Sequence, residues 1–356
     1  MKLFRIVQFF VGVALLIGAW LWQPLSFFTA YLVSFVFWVG IPVGAVLLLC
    51  LDGLIDGDWL ELFRPFLKRW AKVLPVFALL IIPVLFGIPW LFRWFSEREY
   101  LQPFQAWYLQ THFFVLRSIL YVLLWTVCAR VVSRRRSGRV SAVVLILLSL
   151  TVTLASADWL ISLDPKWKST AFGLIVLVGQ SLTALSICLT EIFRSERFRR
   201  GLTQITEKTV RDASNVLLVH VLLWAYLFFM QYLIVWSGNI ADEAHWYVVH
   251  GRGHWGAFAG FILLFKFFIP FMLLLFRTLK TRPAVLSIIA SVILAAHWAE
   301  NAWLVLPVFN MSMDMALPKL WVNAWVMLGM GFIIYSLVAG LPSPMARVIE
   351  TEVSGE

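Results

Sequence analysis

Long apolar runs, each closed by a short polar stretch, recur along the whole chain. The clearest lies within Asp212 to Trp246: from Ala213 to Trp236 the chain is apolar for longer than the roughly 20 residues a helix needs to cross a bilayer core. Gly238 and Asn239 then supply a helix stop. Inside that run sit Asn215, His220 and Gln231, and at about 100° per residue His220, Trp224 and Gln231 fall on one stripe. Polar groups are costly in hydrocarbon, so the stripe should face neighbouring helices.

The same pattern predicts ten spans. They run from about Phe4 to Trp22, Phe27 to Leu51, Val73 to Phe95, His112 to Val132, Val140 to Leu163, Ser169 to Ile192, Ala213 to Trp236, Trp255 to Phe276, Ala284 to Phe309 and Leu320 to Leu341. Runs of this length exceed barrel strands of about ten residues, and backbone polar groups in lipid must be satisfied internally, so the expected fold is all-α. The first run follows Lys2 and Arg5 as a signal peptide would, but it has no small-x-small cleavage site and ends in Trp20 and Trp22, which suits a retained helix.

Two stretches depart from the simple pattern. Pro75, Pro83 and Pro89 should break the third span. Before it, residues 54–72 place Trp59, Leu62, Phe63, Phe66, Leu67 and Trp70 at three- and four-residue intervals, opposite Glu61, Arg64, Lys68 and Arg69. That reads as an amphipathic segment at the cytoplasmic interface, broken or started by Pro65. No loop is long enough to fold alone, so residues 1–356 form a single membrane domain.

Composition agrees with this reading: the chain is 62% hydrophobic and 13% charged, with a mean hydropathy of +0.87. The net charge of +10 changes the picture only through its distribution. With the N-terminus placed in the cytoplasm, 21 Lys and Arg fall on cytoplasmic segments and six on the other side, which expects both termini inside and removes nucleic acid as the reason for the basic excess. Cys50, Cys128 and Cys188 stand alone in apolar runs and read as small core residues.

Candidate chemistry lies at ionisable positions within spans. His297, Glu300 and Asn301 are spaced i, i+3, i+4 and share a face of the ninth span, and Asp158 shares a face with Ser162 in the fifth. His220 and Lys266 join them, with Arg117, Asp212 and Gln231 as secondary candidates. Such groups either lock helices together as buried ion pairs or relay protons where water is sparse. His245, His250 and His254, near Asp242 and Glu243, lack a strong metal spacing, and no metal site is expected. No phosphate loop and no nucleophile with a partnered base is apparent.

Three stretches in order, ADWLISLDPKWKSTAFG (157–173), LLWAYLFFMQYLIVWSGNIADEAHWY (222–247) and FKFFIPFMLLLFRTLK (265–280), resemble the second large membrane subunit of alternative complex III, a bacterial quinol:cytochrome c oxidoreductase. That quinone-binding-subunit type is a distant relative of polysulfide-reductase membrane anchors. The resemblance implies two four-helix bundles plus two flanking helices, in the bacterial inner membrane. It implies a non-catalytic or quinone-interacting subunit that binds no cofactor itself, with haem c and iron–sulfur clusters on partner membrane and periplasmic subunits. Quinol is left open as a ligand. It also implies a proton path through polar residues of the bundles, at Asp158, His220, His297 and Glu300. The chain carries Asp56-Gly57-Asp58-Trp59 where relatives have Gly-Gly-x-Trp, and Lys266 where they have histidine. Two alternatives stand beside this reading: a stand-alone proton-coupled transporter, and a quinol-binding anchor of the polysulfide-reductase type.

Overall fold

The computed structural model describes residues 2–195, 205–309 and 313–342. Among them there is no strand, and ten helical segments are long and apolar enough to cross a membrane. In chain order, spans 1 to 10 are Lys2–Trp22, Pro24–Leu54, Arg64–Phe86, Thr111–Arg134, Gly138–Leu163, Phe172–Arg194, Glu207–Gly238, His254–Leu275, Pro283–Phe309 and Trp321–Val338. The chain is therefore an all-α, multi-pass membrane protein, as the hydrophobic pattern predicts. Part of the basic run after span 6, Arg347, and the side chain of Lys319 lie outside the described residues.

Span 2 is the axis. It is apolar on every side and buried without a break from Thr29 to Cys50, as a helix without a polar face must be. Spans 3, 4 and 5 pack with it as one four-helix group. Spans 6, 7, 8 and 9 form a second, joined to the first where span 6 lies along span 2. Spans 1 and 10 pair with each other at the flank. Close approach of spans 2 and 6 depends on Gly44: a Cβ there would stand 2.1 Å from the backbone oxygen of Gln180. At the flank Gly12 plays the same part, since a Cβ would meet the backbone oxygen of Gly329 at 2.6 Å.

Local chemistry explains the irregular elements. Pro75, Pro83 and Pro89 divide span 3 and its continuation into short helical turns, Leu74–Val76, Phe77–Leu80, Ile82–Phe86 and Ile88–Leu91, because each ring removes a backbone donor. The amphipathic segment before them forms the helix Arg64–Ala71, begun by Pro65 in its first turn. Its apolar stripe, Phe66, Leu67 and Trp70, is buried against the bundle. Its basic face is tied down: Arg64 makes a bidentate pair with Asp52 at 2.8 Å, and Arg69 donates to the backbone oxygen of Val338.

Span 7 starts earlier than its apolar run. Thr206 caps it by accepting from the Thr209 backbone N–H, and Asn239 ends it in the left-handed conformation. Its 32 residues rise about 48 Å, well beyond a hydrocarbon core of about 30 Å, so its polar first turns extend past the apolar layer. Span 8 contains a π-turn over Leu264–Phe268. Pro270 has no N–H to offer the carbonyl of Lys266 and its ring crowds that oxygen; the added residue of the π-turn accommodates the conflict and carries Lys266 into the interior.

Candidate functional site

Five of the seven titratable candidates fall into two separate clusters, one in each four-helix group. In the second group, Lys266 of span 8 meets His297 and Glu300 of span 9. Lys266 is 0% exposed, and its Nζ bonds Glu300 Oε2 and lies 2.9 Å from His297 Nδ1. His297 Nδ1 is also 2.8 Å from Glu300 Oε2. The other carboxylate oxygen, Oε1, accepts from Trp224 Nε1 of span 7 at 3.0 Å. The indole serves twice, since its ring face lies 4.2 Å from the Lys266 ammonium. Asn301 donates to the His297 backbone oxygen and holds the turn below the imidazole. Gly179 of span 6 leaves room for the group: a Cβ there would stand 3.2 Å from His297 Cε1 and 3.8 Å from Lys266 Nζ.

This geometry admits two proton arrangements on one set of heavy atoms. An ammonium at Lys266 can donate to both His297 Nδ1 and Glu300 Oε2; alternatively, the Nδ1–H of His297 can donate to Glu300 while Lys266 gives up a proton. A proton can pass among the three groups without any side chain leaving its place. Beside them is a cavity of about 30 Å³ lined by His297, Glu300, Asn301, Gln180, Gln231 and Tyr247 among others. That is space for one or two water molecules. Gln180 Oε1, buried and without a hydrogen-bond partner among the described residues, lines both this cavity and a smaller one of about 10 Å³ that reaches Trp125 and Trp159 in the first group.

The cavity is closed at one end by aromatic rings. Trp167 stacks on Trp246 with centroids 4.2 Å apart, and Trp246 stacks on His250 at 3.7 Å. Ser169 positions the loop beneath: its hydroxyl donates to Gln231 Oε1 at 2.9 Å and accepts from the Phe172 N–H at the start of span 6. Gln231 thus lines the cavity from span 7, as its place on the inward stripe predicts.

Asp158 belongs to a different cluster, in the first group. It is 0% exposed and takes a bidentate pair from Arg117 of span 4, both bonds 2.9 Å, plus the Tyr121 hydroxyl at 2.8 Å. Arg117 also donates to the Tyr108 backbone oxygen and lies 3.8 Å over its ring. Three fixed donors face this carboxylate, which suits a lock between spans 4 and 5. His220 joins neither cluster: its Nδ1 bonds the Val216 backbone oxygen of its own helix at 2.9 Å. Asp212 is half-buried in the first turns of span 7, away from both. The titratable residues expected to act together are thereby divided between two places.

Sequence reasoning missed the role of Trp224 as a donor to Glu300, although it placed that residue on the inward stripe. It missed Gln180 altogether, a polar side chain within an apolar span that the same rule would have found. Comparison of the sequence with protein-family models finds no match, and comparison with curated proteins finds none. Among the described residues no group of His, Cys, Asp and Glu has the arrangement of a metal site, and the three cysteines are buried and free.

His250 completes the aromatic cap. Its Nδ1 bonds the Trp246 backbone oxygen at 2.8 Å, and its own carbonyl accepts from Trp303 Nε1. Burial pulls its pKa down to about 4. A base depressed in the folded state is neutral there, so it contributes stability above its ordinary value near 6.5 and loses it as pH falls toward 4. The thermal unfolding midpoint, followed by tryptophan fluorescence, should therefore shift down as pH falls from about 6.5 to about 4. His250→Asn should flatten that shift; an unchanged profile in the variant would assign the effect to another group.

Proposed function

We propose that this chain is an integral membrane subunit of a quinol-oxidising electron-transfer complex of the alternative complex III kind, where it packs against partner subunits and contributes a proton-conducting element. The observation that carries the reading is the dry junction of Lys266, His297 and Glu300, with Trp224 behind it and a water-sized cavity in front. Three titratable atoms that can share a proton in place, buried from bulk solvent, suit transfer rather than binding of a large solute. The three stretches that resemble the complex's membrane subunit supply the type of assembly, and two of them contribute Trp224 and Lys266. Asp158 and Arg117 act structurally in this account.

In this reading the protein lies in a bacterial inner membrane with both termini cytoplasmic, following the distribution of Lys and Arg. Haem c and iron–sulfur clusters belong to partner subunits, and quinol is oxidised within the assembly. The test is purification of a tagged chain from native membranes in mild detergent, followed by an optical spectrum. Co-purifying partners with the absorption of c-type haem are expected. A solitary, pigment-free chain would overturn the assignment.

A further inference from the structure

Besides the cavity at the junction, the structure contains a larger one at the ends of spans 3 and 4, of about 460 Å³. It sits on the side where Arg5 of span 1 meets Ser336 of span 10. Four cationic side chains line it, Lys68 and Lys72 from the helix Arg64–Ala71 and its cap, Arg130 and Arg134 from the end of span 4. Each pair is spaced i, i+4, so both helices turn a cationic face into one concavity. Thr126 and Ser133 add hydroxyls, and the Ser133 oxygen is buried without a partner among the described residues. No carboxylate among those residues lines the space. Asp52 is engaged by Arg64 and Arg136, and Glu191 lies against Arg69.

Even with Lys68 engaged within the protein, concentrating Lys72, Arg130 and Arg134 in one concavity is unfavourable unless an anion offsets them. The volume lies within the roughly 300 to 1,000 Å³ of ligand sites. On the same two spans, Val127 and Val131 of span 4 and Leu79 of span 3 are exposed apolar side chains. A ligand that satisfies both the cations and these side chains is an anion with hydrocarbon attached.

We propose that this cavity binds the phosphodiester headgroup of an acidic glycerophospholipid, with Lys72, Arg130 and Arg134 pairing the phosphate oxygens and the acyl chains lying along Val127, Val131 and Leu79. Basic pockets between helices, level with the lipid headgroups, recognise acidic lipids by this combination of charge and adjoining apolar surface. The site is separate from the proton junction and does not depend on the proposed assembly.

The experiment uses the full chain, exchanged into neutral detergent and titrated with phosphatidylglycerol or phosphatidylcholine, with retained lipid counted by native mass spectrometry. One phosphatidylglycerol is expected to be held in preference to phosphatidylcholine. Substituting Lys72→Gln, Arg130→Gln and Arg134→Gln together should weaken its retention on the order of a hundredfold. A charge-matched control, Arg139→Gln with Arg277→Gln and Arg282→Gln, should leave it unchanged, and a matching thermal melt of the two triple variants shows that both are folded. Lys72→Gln alone should weaken retention several-fold, which keeps the test decisive if the triple variant is unstable. Equal retention of the two lipids, or equal loss in variant and control, would overturn the proposal. Displacement of the lipid by millimolar inorganic phosphate would show a site for free phosphate and overturn the lipid as its occupant.

Discussion

Replacing Glu300 by Gln should lower the unfolding free energy of the detergent-solubilised chain by about 3–5 kcal/mol, and adding Lys266→Met should recover much of that loss. The reason is asymmetry between an ion pair and its remnants. Lys266 is wholly buried, and Glu300 is the carboxylate that offsets its charge; without it the ammonium has only the Trp224 ring and a neutral imidazole. The thioether of Met fills similar space and needs no counter-charge. Lys266→Met alone should cost less than Glu300→Gln alone, because Glu300 retains the Trp224 donor and can accept a hydrogen bond from His297 Nδ1–H. Denaturant unfolding followed by tryptophan fluorescence gives all three values. Costs that simply add in the double variant would mean the two groups do not interact. If the proposed function holds, the double variant should also assemble with its partners yet lose proton coupling, since it retains packing but not the exchangeable proton.

The second large effect concerns Arg117 and Asp158, where the two single variants should differ by at least about 1 kcal/mol. Arg117→Met leaves the Asp158 carboxylate at zero exposure with one remaining side-chain donor, the Tyr121 hydroxyl, and should cost about 3–5 kcal/mol. Asp158→Asn leaves Arg117 in a better position. Its side chain is 18% exposed, it keeps the Tyr108 carbonyl and ring, and its end can turn toward the boundary, so the cost should be about 1–2 kcal/mol. Thermal melts of the two variants under identical detergent conditions compare them. Equal losses would contradict the burial argument, and a proton-coupling defect in Asp158→Asn with stability intact would move Asp158 from lock to relay.

These two clusters show where a sequence stops being sufficient. The run of apolar residues in each span, the prolines of span 3, the Gly-Asn stop after span 7 and the inward stripe of Trp224 and Gln231 are local properties. Each depends on hydropathy or backbone stereochemistry over a few turns, so each is legible without a partner. The spacing of His297 and Glu300 likewise placed them on one face, because helical periodicity is intrinsic to the chain. Lys266 was visible as a charge in an apolar run, but its companions were not.

What periodicity cannot supply is the identity of the helix across the gap. Asp158 and Glu300 look alike in sequence, each a carboxylate in an apolar run, yet one meets an arginine in a bidentate lock and the other a lysine, an imidazole and an indole. His220 looked equivalent to His297 and instead bonds its own backbone. Gln180 lies between the two groups because Gly44 lets spans 2 and 6 approach closely. The sequence by itself therefore determined that this is a helical membrane protein, how many apolar spans it has and where prolines break one, and which polar residues must turn away from lipid; it did not set the starts of spans 3 and 7, which begin earlier than their apolar runs, at Arg64 and Glu207. Only the tertiary structure decided which of those residues share a charge or a proton, because that depends on distances of 2.8–3.0 Å between side chains on different helices.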